Sequence, residues 1–307
     1  MSSSYKLFET VYGLGEVSIN KLIDNGAKTI HDLKHKPKFY NTLKQPTKDY
    51  LLYYDELQER IPRDEVIRHK ETIDRLVNAG GDFYRIDIVG SFRRGEQYCG
   101  DIDVLFTTKL NYNPTLEYIS AITSILSAHG YLIKTLKKGH KVMNGIAKLT
   151  PYSKARRVDL FFSAPDVYAF ALLTKTGDVA FNKSLRACIK EKNPDYTLSE
   201  LGIRMNGSNI GKKNDFGSED RILDYIGIVG RKEPEEMVGS VSCKKRGEKR
   251  SGRESVLSGL TRRSGKTRRS VKKRKRESEV SVKLEGEAST VSTLTQTASR
   301  DSEATYE

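Results

Sequence analysis

The stretch VGSFRRGEQYCGDIDVLF, residues 89–106, decides the fold class. It begins with a Gly90-Ser91 turn and ends in an alternation of polar and apolar residues, in which Asp101 and Asp103 are two positions apart. Such alternation is typical of a half-buried strand, and side chains at i and i+2 project from the same face of a strand. The stretch therefore predicts a strand that presents two carboxylates together, shortly after a glycine-containing turn.

Four segments around this strand have the periodicity of further helices and strands. They are PRDEVIRHKETIDRLVNAGG (62–81, a helix), FYRIDIVG (83–90, a strand), NPTLEYISAITSILSAHG (113–130, a helix whose first apolar residue is Leu116) and RRVDLFF (156–162, a strand). Helices and strands arranged in this way predict an α+β sheet domain over residues 62–163.

The predicted pair of carboxylates requires a nearby cation. Two carboxylates on one face repel each other, and ligand sets made only of oxygen suit Mg²⁺ or Mn²⁺. Asp159, on the polar face of RRVDLFF, supplies a third ligand if its strand lies beside that of Asp101 and Asp103. Three aspartates on neighbouring strands can hold two divalent ions, the arrangement used for in-line displacement at phosphorus. We therefore predict that these three aspartates are catalytic metal ligands.

The turn before the carboxylates is suited to binding phosphate. Gly90 and Ser91 offer close backbone approach, a hydroxyl and amides at the start of a short helix. Arg94 and Gly100 flank the same pocket from its other end, and an arginine forms strong paired hydrogen bonds with phosphate oxygens. We predict that these four residues bind the β- and γ-phosphates of a nucleotide.

The N-terminal segment YGLGEVSINKLIDNGAKTIHDL contains a Gly13-Leu14-Gly15 turn before a helix that ends near Gly26. Amides at the start of such a helix bind phosphate well. An ordinary helix-turn-helix packed for stability has the same pattern, so these residues alone leave both interpretations open.

The net charge of +14 is concentrated near the C-terminus, because residues 243–276 contain 16 basic and 2 acidic residues. From about Glu233 onward the chain is rich in Ser, Gly, Lys and Arg without a sustained apolar period, which predicts a disordered tail. We expect this tail to provide most of any salt-dependent affinity for a polyanion. The run KKRKR, residues 272–276, fits a nuclear-import signal, a nucleic-acid-binding arm or a solubilising charge run.

The cysteines and the apolar runs indicate the compartment. Cys99, Cys188 and Cys243 form no CxxC pair, which indicates a reducing compartment rather than a disulfide framework, and no zinc site. No apolar run reaches the roughly 18 residues of a membrane helix, and the N-terminus lacks the apolar core of a signal peptide. We therefore expect a soluble, intracellular protein without membrane contact.

Six motifs resemble, in the same order, those of the family X DNA polymerases of the nucleotidyltransferase superfamily. They are YGLGEVSINKLIDNGAKTIHDL, ERIPRDE, GSFRRG, GDIDVLF, RRVDLFF and TGDVAFNKSLR. The resemblance covers about residues 5–232. It implies helix-hairpin-helix fingers that bind DNA (1–61), a catalytic palm with a mixed sheet and helices (62–163), a small α+β thumb (164–232) and a disordered basic tail (233–307).

The resemblance implies a monomeric DNA-directed DNA polymerase that fills short gaps in DNA repair, such as base excision repair. The implied partners are gapped or primer-template DNA, a nucleoside triphosphate, and a DNA ligase or other repair protein bound through the tail. In the implied two-metal reaction, a primer 3′-hydroxyl attacks the α-phosphate and pyrophosphate is released. From the KKRKR run we expect the nucleus in a eukaryote, and otherwise a viral or cytoplasmic DNA compartment.

The resemblance also implies individual roles. Asp101, Asp103 and Asp159 would bind two Mg²⁺ or Mn²⁺ ions, with Asp159 near the primer 3′-hydroxyl. The implied nucleotide-binding residues are Gly90, Ser91, Arg94, Gly100, Arg60, Gly177, Asn182 and Lys183. The implied DNA-binding residues are Gly13, Gly15, Glu9, Val11, Leu14, Arg157 and Arg186. Arg157 would orient Asp159 or the primer end, and backbone carbonyls of Glu9, Val11 and Leu14 would hold a K⁺ or Na⁺ ion shared with a DNA phosphate.

Several residues depart from the family pattern. The helix-hairpin-helix begins within ten residues of Met1, so we expect no N-terminal lyase domain and no lyase activity. Thr174 and Lys175 stand where many members carry Tyr-Phe against the sugar, which leaves the preference for deoxyribonucleotides open. Phe161 stands where a basic residue can follow the third aspartate, and Cys99 replaces a small polar residue.

Two alternative functions remain. One is a template-independent nucleotidyltransferase that acts on RNA 3′ ends or small molecules, and the other is a non-catalytic DNA-binding scaffold. The short connection LTPYSKAR, residues 149–156, favours templated synthesis, because template-independent members of the family carry a long loop there. The three aspartates argue against a scaffold, since buried carboxylates are costly without a cation.

Overall fold

The computed structural model describes residues 2–210, 215–228 and 233–243 of the 307-residue chain, and these form an α+β structure, as predicted. The helices are α1 (Ser3–Glu9), α2 (Glu16–Asp24), α3 (Ile30–His35), α4 (Pro37–Tyr40), α5 (Gln45–Leu52), α6 (Tyr54–Gln58), α7 (Arg63–Val77), α8 (Gly90–Arg93), α9 (Tyr118–Ala128), α10 (Tyr168–Thr176), α11 (Val179–Lys192) and α12 (Glu219–Ile226). The strands are β1 (Ile61–Pro62), β2 (Tyr84–Ile88), β3 (Tyr98–Cys99), β4 (Ile102–Thr108), β5 (Leu132–Lys138), β6 (Val142–Ala147), β7 (Arg156–Phe162), β8 (Tyr196–Ser199), β9 (Gly202–Met205) and β10 (Ser208–Asn209).

Helices α1 to α6 share one apolar core. The turn between α1 and α2 contains Gly13 with a φ of +85°, a conformation that is unfavourable for residues with a side chain. Thr29 and Asp32 form a capping box that fixes the start of α3. Residues of β5 and β6 belong to the same core, so this helical region packs against one edge of the central sheet.

The central sheet has the strand order β2-β4-β7-β6-β5, in which only the β4–β7 pair is parallel. On one face, alternate residues of β4 and β7 pack with α7 and α9 in the largest of the buried cores. The opposite face carries Asp103 and Leu105 of β4 beside Asp159 and Phe161 of β7, and α10 covers its apolar part. The alternation read from the sequence therefore separates a buried face from a face that carries acidic residues.

The second predicted helix is shorter than its apolar pattern. α9 begins at Tyr118, and Leu116, which the periodicity placed on the buried face, is 57% exposed. The side chain of Asn113 accepts hydrogen bonds from the backbone N–H and the hydroxyl of Thr115, which stabilises a turn instead of a first helical turn. Strands β5 and β6 were not predicted, because β5 is rich in lysine and lacks a regular alternation.

The residues after the central sheet form a third apolar core, built from α10, α11, α12 and a sheet with the order β10-β9-β8. The predicted start of the disordered tail at residue 233 is wrong. Met237 is completely buried in this core, and the 3₁₀ turn Pro234–Glu236 leads into it. A single buried methionine gives no periodic signal, so composition alone placed the boundary too early. The KKRKR run, residues 272–276, lies outside the described residues.

Cys188 and Cys243 form a disulfide across 55 positions of sequence, which corrects the expectation of a chain without disulfides. The spacing of the cysteines in the sequence does not predict this pair. An isolated β-bridge between Ile228 and Cys243 brings the chain back towards α11, and such a contact has no sequence pattern. Cys99 is free and buried in the central core. In the part of the chain that the structure describes, no helix has the length and apolar character needed to cross a membrane.

Candidate active site

The three predicted metal ligands lie together on the acidic face of the central sheet. The parallel register of β4 and β7 places Asp103 directly opposite Asp159. Asp101 precedes β4 by one residue and, two positions before Asp103, projects from the same side. One carboxylate oxygen of each residue lies within 4.8 Å of those of the other two. Three carboxylates this close together could bind a divalent metal ion.

Burial disfavours negative charge at Asp103 and Asp159, and the charge of Asp159 adds to this effect at Asp103. Burial, together with the nearby charge of Asp159, raises the pKa of Asp103 to about 7. Burial also raises the pKa of Asp159, although Asn144, opposite it on β6, hydrogen-bonds its carboxylate. The Oδ1 atom of Asp159 is buried and has no hydrogen-bond partner among the described residues. A bound cation would compensate the cost of burying negative charge and would give the Oδ1 atom of Asp159 a partner. The three carboxylates therefore fit a metal ion.

Arg157 contacts a different aspartate from the one that the family resemblance implies. Its guanidinium forms an ion pair with the carboxylate of Asp101 instead of binding Asp159 directly. The strand register explains this contact, because Ile102 pairs with Val158 and the residues before them therefore face each other. Arg157 thus neutralises the carboxylate of Asp101, just before the start of β4.

Gly90 and Ser91 begin α8 directly beside the carboxylates. Gly90 has a φ of +60°, and a Cβ atom at this position would lie 2.1 Å from Oδ2 of Asp103. Glycine is required here, because any side chain would displace that carboxylate. Arg94 follows α8 and donates a hydrogen bond of 2.9 Å to the backbone carbonyl of Thr176 at the end of α10. The predicted phosphate-binding turn is therefore in contact with both the carboxylates and α10.

Arg60 and Gly100, the other predicted phosphate-binding residues, lie on the far side of this turn. An open cleft of about 610 Å³ is lined by Arg60, Arg94 and residues 95–98. Arg60 donates a hydrogen bond to the carbonyl of Tyr98, and its Nη1 atom is 3.7 Å from where a Cβ atom of Gly100 would lie. Two arginines thus line one open cleft, and such a cleft suits a polyphosphate.

Comparison with known proteins relates this site to DNA polymerases. Residues 60–165 match the DNA polymerase beta palm family. The chain is 26% identical over 241 residues to DNA polymerase lambda of Arabidopsis thaliana, and 27% identical over 212 residues to DNA polymerase lambda of Rattus norvegicus. The palm region of this chain is therefore similar to that of DNA polymerase beta, and the two relatives are family X polymerases. The two alignments cover 72% and 65% of this chain but 44% and 35% of the relatives, so it spans less than half of their length.

Gly177 and Asn182 form the junction between α10 and α11. The side-chain amide of Asn182 donates hydrogen bonds of 2.7 Å to the carbonyl of Gly177 and 2.9 Å to that of Thr174. Lys183 and Arg186 are exposed residues of α11 and lie three positions apart, about one helical turn. Their roles towards a nucleotide and a template strand remain predictions.

Arg93 is a site residue that the sequence analysis missed. Its guanidinium donates hydrogen bonds of 2.8 and 2.6 Å to the two carboxylate oxygens of Glu219, on α12, and one of 2.7 Å to the hydroxyl of Thr176. These contacts connect the predicted phosphate-binding turn to α10 and α12. The only sequence signal was the first arginine of GSFRRG, because Glu219 is 126 positions away.

The N-terminal glycine turn is followed by a helix that ends at Asp24, close to the predicted end near Gly26. Gly15 is the N-cap of α2, and the backbone N–H of Leu14 donates a hydrogen bond of 3.3 Å to the carbonyl of Val11. Glu9 is the last residue of α1, so the three residues predicted to hold a monovalent cation lie within one turn. The same turn contains Tyr12, which the sequence analysis missed. Burial, and then the charge of Asp159, raise the pKa of Tyr12, so the hairpin lies within electrostatic range of the carboxylates.

Proposed function

We propose that this protein is a DNA-directed DNA polymerase that adds nucleotides to a primer 3′-hydroxyl in short gaps of duplex DNA. The observation that carries the proposal is the parallel pairing of Asp103 with Asp159 beside a phosphate-binding turn at Gly90. The names of the curated relatives and the matched palm family support the same activity. A repair role is part of this proposal.

Asp101, Asp103 and Asp159 would hold two Mg²⁺ or Mn²⁺ ions. Bound ions would supply Lewis-acid activation of the primer hydroxyl and neutralise charge on the leaving pyrophosphate. The protein contributes rigidity, because adjacent hydrogen-bonded strands fix the spacing of two of the carboxylates. Asn144 restrains the carboxylate of Asp159 and leaves its Oδ1 atom available as a ligand.

The phosphates of the incoming nucleotide would bind along α8. The amides of Gly90 and Ser91 and the guanidinium groups of Arg94 and Arg60 provide donors on two sides of the cleft. Holding the triphosphate in this way aligns the α-phosphate with the attacking hydroxyl, and alignment with charge neutralisation supplies most of the rate in phosphoryl transfer. Because Arg94 also holds the carbonyl of Thr176, phosphate binding would be coupled to the position of α10.

The DNA would contact the hairpin and α11. Backbone groups at Gly13 and Gly15 would meet a DNA phosphate, with K⁺ or Na⁺ held by the carbonyls of the same turn. Lys183 would lie against the nucleotide and template base, and Arg186 against the template strand.

The connection between β6 and β7 supports templated synthesis over untemplated synthesis. Thr150 and Ser153 close it as a tight turn, with hydrogen bonds of 3.0 and 3.1 Å between each backbone N–H and the other hydroxyl. A turn this short cannot extend into the space that a template strand would occupy.

The test is primer extension with Mg²⁺ on gapped, open-template and template-free DNA, with deoxy- and ribonucleotides in separate reactions. Asp159→Asn should reduce the extension rate by about a hundredfold or more while leaving the affinity for gapped DNA nearly unchanged. Asp166→Asn, at an exposed carboxylate after β7, is the matched control and should extend at the wild-type rate. Wild-type extension by Asp159→Asn would refute the assignment of the site, and template-free tailing would favour the template-independent alternative.

A further inference from the structure

Residues 233–243, which we term the C-terminal strap, lie across α11. The strap begins with the 3₁₀ turn Pro234–Glu236 and inserts Met237 completely into the third core. It ends at Cys243, which is bonded to Cys188 on α11. The strap is therefore anchored by an apolar side chain near its start and by a covalent bond at its end.

Between these anchors, the strap binds the N-terminal turns of α11. The backbone N–H of Asp178 donates a hydrogen bond of 3.1 Å to the carbonyl of Met237, and the N–H of Gly239 donates one of 2.9 Å to Oδ2 of Asp178. Asp178 is also the N-cap of α11, through a 2.7 Å hydrogen bond from the N–H of Phe181. The N–H of Val241 donates a hydrogen bond of 3.0 Å to Oγ of Ser184. These contacts flank Asn182 and Lys183, which the family resemblance implies to be nucleotide-binding residues.

The strap also reaches the phosphate-binding turn. A Cβ atom at Gly95 would lie 3.1 Å from Cγ of Glu235, so the strap packs closely against the residue that follows Arg94. Arg94 in turn holds the carbonyl of Thr176. The strap thus connects the two groups of residues that are proposed to bind the two ends of the nucleotide.

The two cysteines differ in access to solvent. Cys188 is 3% exposed, whereas Cys243 is only partly buried. Cys243 pairs with Ile228 through an isolated β-bridge and not through a continuous ladder. The end of the strap therefore has few backbone contacts, and loss of the disulfide would release it while Met237 still anchors its start.

We propose that the Cys188–Cys243 disulfide is a reversible latch, which in the oxidised state fixes the strap on α11 and thereby positions Asn182 and Lys183 for the nucleotide. The inference rests on the proposed function for its effect on catalysis, although not for the latch itself. The partner is a low-molecular-weight disulfide such as glutathione disulfide in the oxidising direction, and a dithiol in the reverse direction.

The exchange is balanced in atoms and electrons. The thiolate of Cys243, the more accessible of the two, attacks one sulfur of the small disulfide and releases one small thiolate. The thiolate of Cys188 then attacks the Cys243 sulfur of the mixed disulfide and releases the second. The protein loses two electrons and two protons, which the small disulfide takes up as two thiols.

The experiment uses the full chain, oxidised with glutathione disulfide or reduced with dithiothreitol. Alkylation and mass measurement should show Cys188 and Cys243 protected only after oxidation. Amide hydrogen exchange at Gly239 and Val241 and in the first turns of α11 should become faster on reduction. In primer extension, reduction should raise the KM for the incoming nucleotide by about fivefold or more with a smaller change in kcat.

Two variants separate a latch from a purely structural bond. Cys243→Ser and Cys188→Ala should each behave like the reduced protein and lose their response to glutathione disulfide. Alkylation of both thiols after oxidation would overturn the proposal. So would a disulfide whose formation changes neither the exchange in α11 nor the KM. If no extension occurs in either state, the proposed function fails, and the exchange measurements alone still decide whether the strap is latched.

Discussion

The ammonium group of Lys175 lies 3.9 Å from the centre of the Phe161 ring. This contact joins the end of α10 to β7, two residues beyond Asp159 and on the same face of the sheet. The positive charge of Lys175 lowers the pKa of both Asp103 and Asp159, against the larger effect of burial. Both residues were noted as departures from the family pattern, and the structure shows that they pair with each other. An aromatic face is a favourable surface for a cation, so Phe161 holds Lys175 near the carboxylates.

Replacing Lys175 with methionine should increase the affinity of the carboxylates for Mn²⁺. The lysine charge repels a divalent ion, and its removal should tighten binding by about three- to tenfold, which corresponds to about 1 kcal/mol. The measurement is calorimetric titration without DNA or nucleotide at about pH 8.5, so that Asp103 is ionised. Lys137→Met, at an exposed position of β5, is the control with unchanged affinity. Equal or weaker binding by Lys175→Met would contradict the electrostatic role.

Replacing Gly90 with alanine should impair metal binding as well as stability. The new Cβ would lie 2.1 Å from Oδ2 of Asp103, so the carboxylate would have to move. Gly26→Ala is the matched control, because Gly26 has a φ of +89° but no heavy atom within 4 Å of an added Cβ. Both variants should lose about 1 to 2 kcal/mol of unfolding free energy from the strained backbone. Only Gly90→Ala should also lose Mn²⁺ affinity, and equal affinities in the two variants would argue against close packing of Gly90 on Asp103.

The ion pair between Arg93 and Glu219 should stabilise the attachment of the phosphate-binding turn to α12. Its side chains are 22% and 15% exposed, so water screens the pair weakly. A double-mutant cycle with Arg93→Met and Glu219→Gln should give a coupling of about 1 to 2 kcal/mol in urea unfolding. The exposed pair of Arg68 and Asp64 is the control and should give a much smaller coupling, because water screens it. Similar couplings in the two cycles would show that partial burial adds nothing.

His69 should make the protein less stable in mild acid. Its Nδ1 atom is 2.8 Å from the hydroxyl of Tyr131, and its Nε2 atom is 3.9 Å from Oε1 of Glu65. Burial lowers the pKa of His69 to about 4, although the charge of Glu65 opposes this effect. The unfolded chain, with a pKa near 6.5, therefore takes up a proton that the folded chain does not. The stability from neutral His69 is complete above pH 6.5, falls as the pH decreases towards 4, and is lost below that value.

The size of this effect can be measured with a variant that does not titrate. The pKa difference corresponds to about 3 kcal/mol of unfolding free energy between pH 7 and pH 4. Urea unfolding of His69→Gln should show a correspondingly smaller loss over that range than the wild type. His129→Gln, at an exposed position after α9, should keep the wild-type pH dependence. Parallel curves for His69→Gln and the wild type would show that His69 is not the titrating group.

Much of the central sheet and its acidic face could be predicted from the sequence. Alternation in DIDVLF and RRVDLFF is a local property, and it correctly placed the apolar residues at even positions in the core, although Leu105 on the other face of β4 is buried as well. The adjacency of these two strands could not be read from alternation, because it depends on a crossover through α9, β5 and β6. The family resemblance supplied that step by bringing Asp159 to Asp103.

The contacts that connect distant segments could not be predicted. Arg93 meets Glu219 across 126 positions, and Cys188 meets Cys243 across 55. Neither pair has a periodic or compositional signal, because the first depends on how α12 packs against α8 and the second on how the strap returns to α11. The same limitation explains why the strap was taken for tail, since its single buried residue, Met237, gives no periodic signal.

The proposed chemistry requires Asp103 and Asp159 to point to the same face of the sheet. The register between β4 and β7 places residues with odd numbers on that face. Asp103 and Asp159 share a face only because each is at an odd position in a strand whose even residues are buried. Deleting Ile102 would make Asp101 and Asp103 neighbours in the chain, so one of the two carboxylates would point into the core or β4 would have to slip. Insertions and deletions in this strand therefore keep the carboxylates on one face only if they involve an even number of residues. The turn between β6 and β7 is not under this restriction.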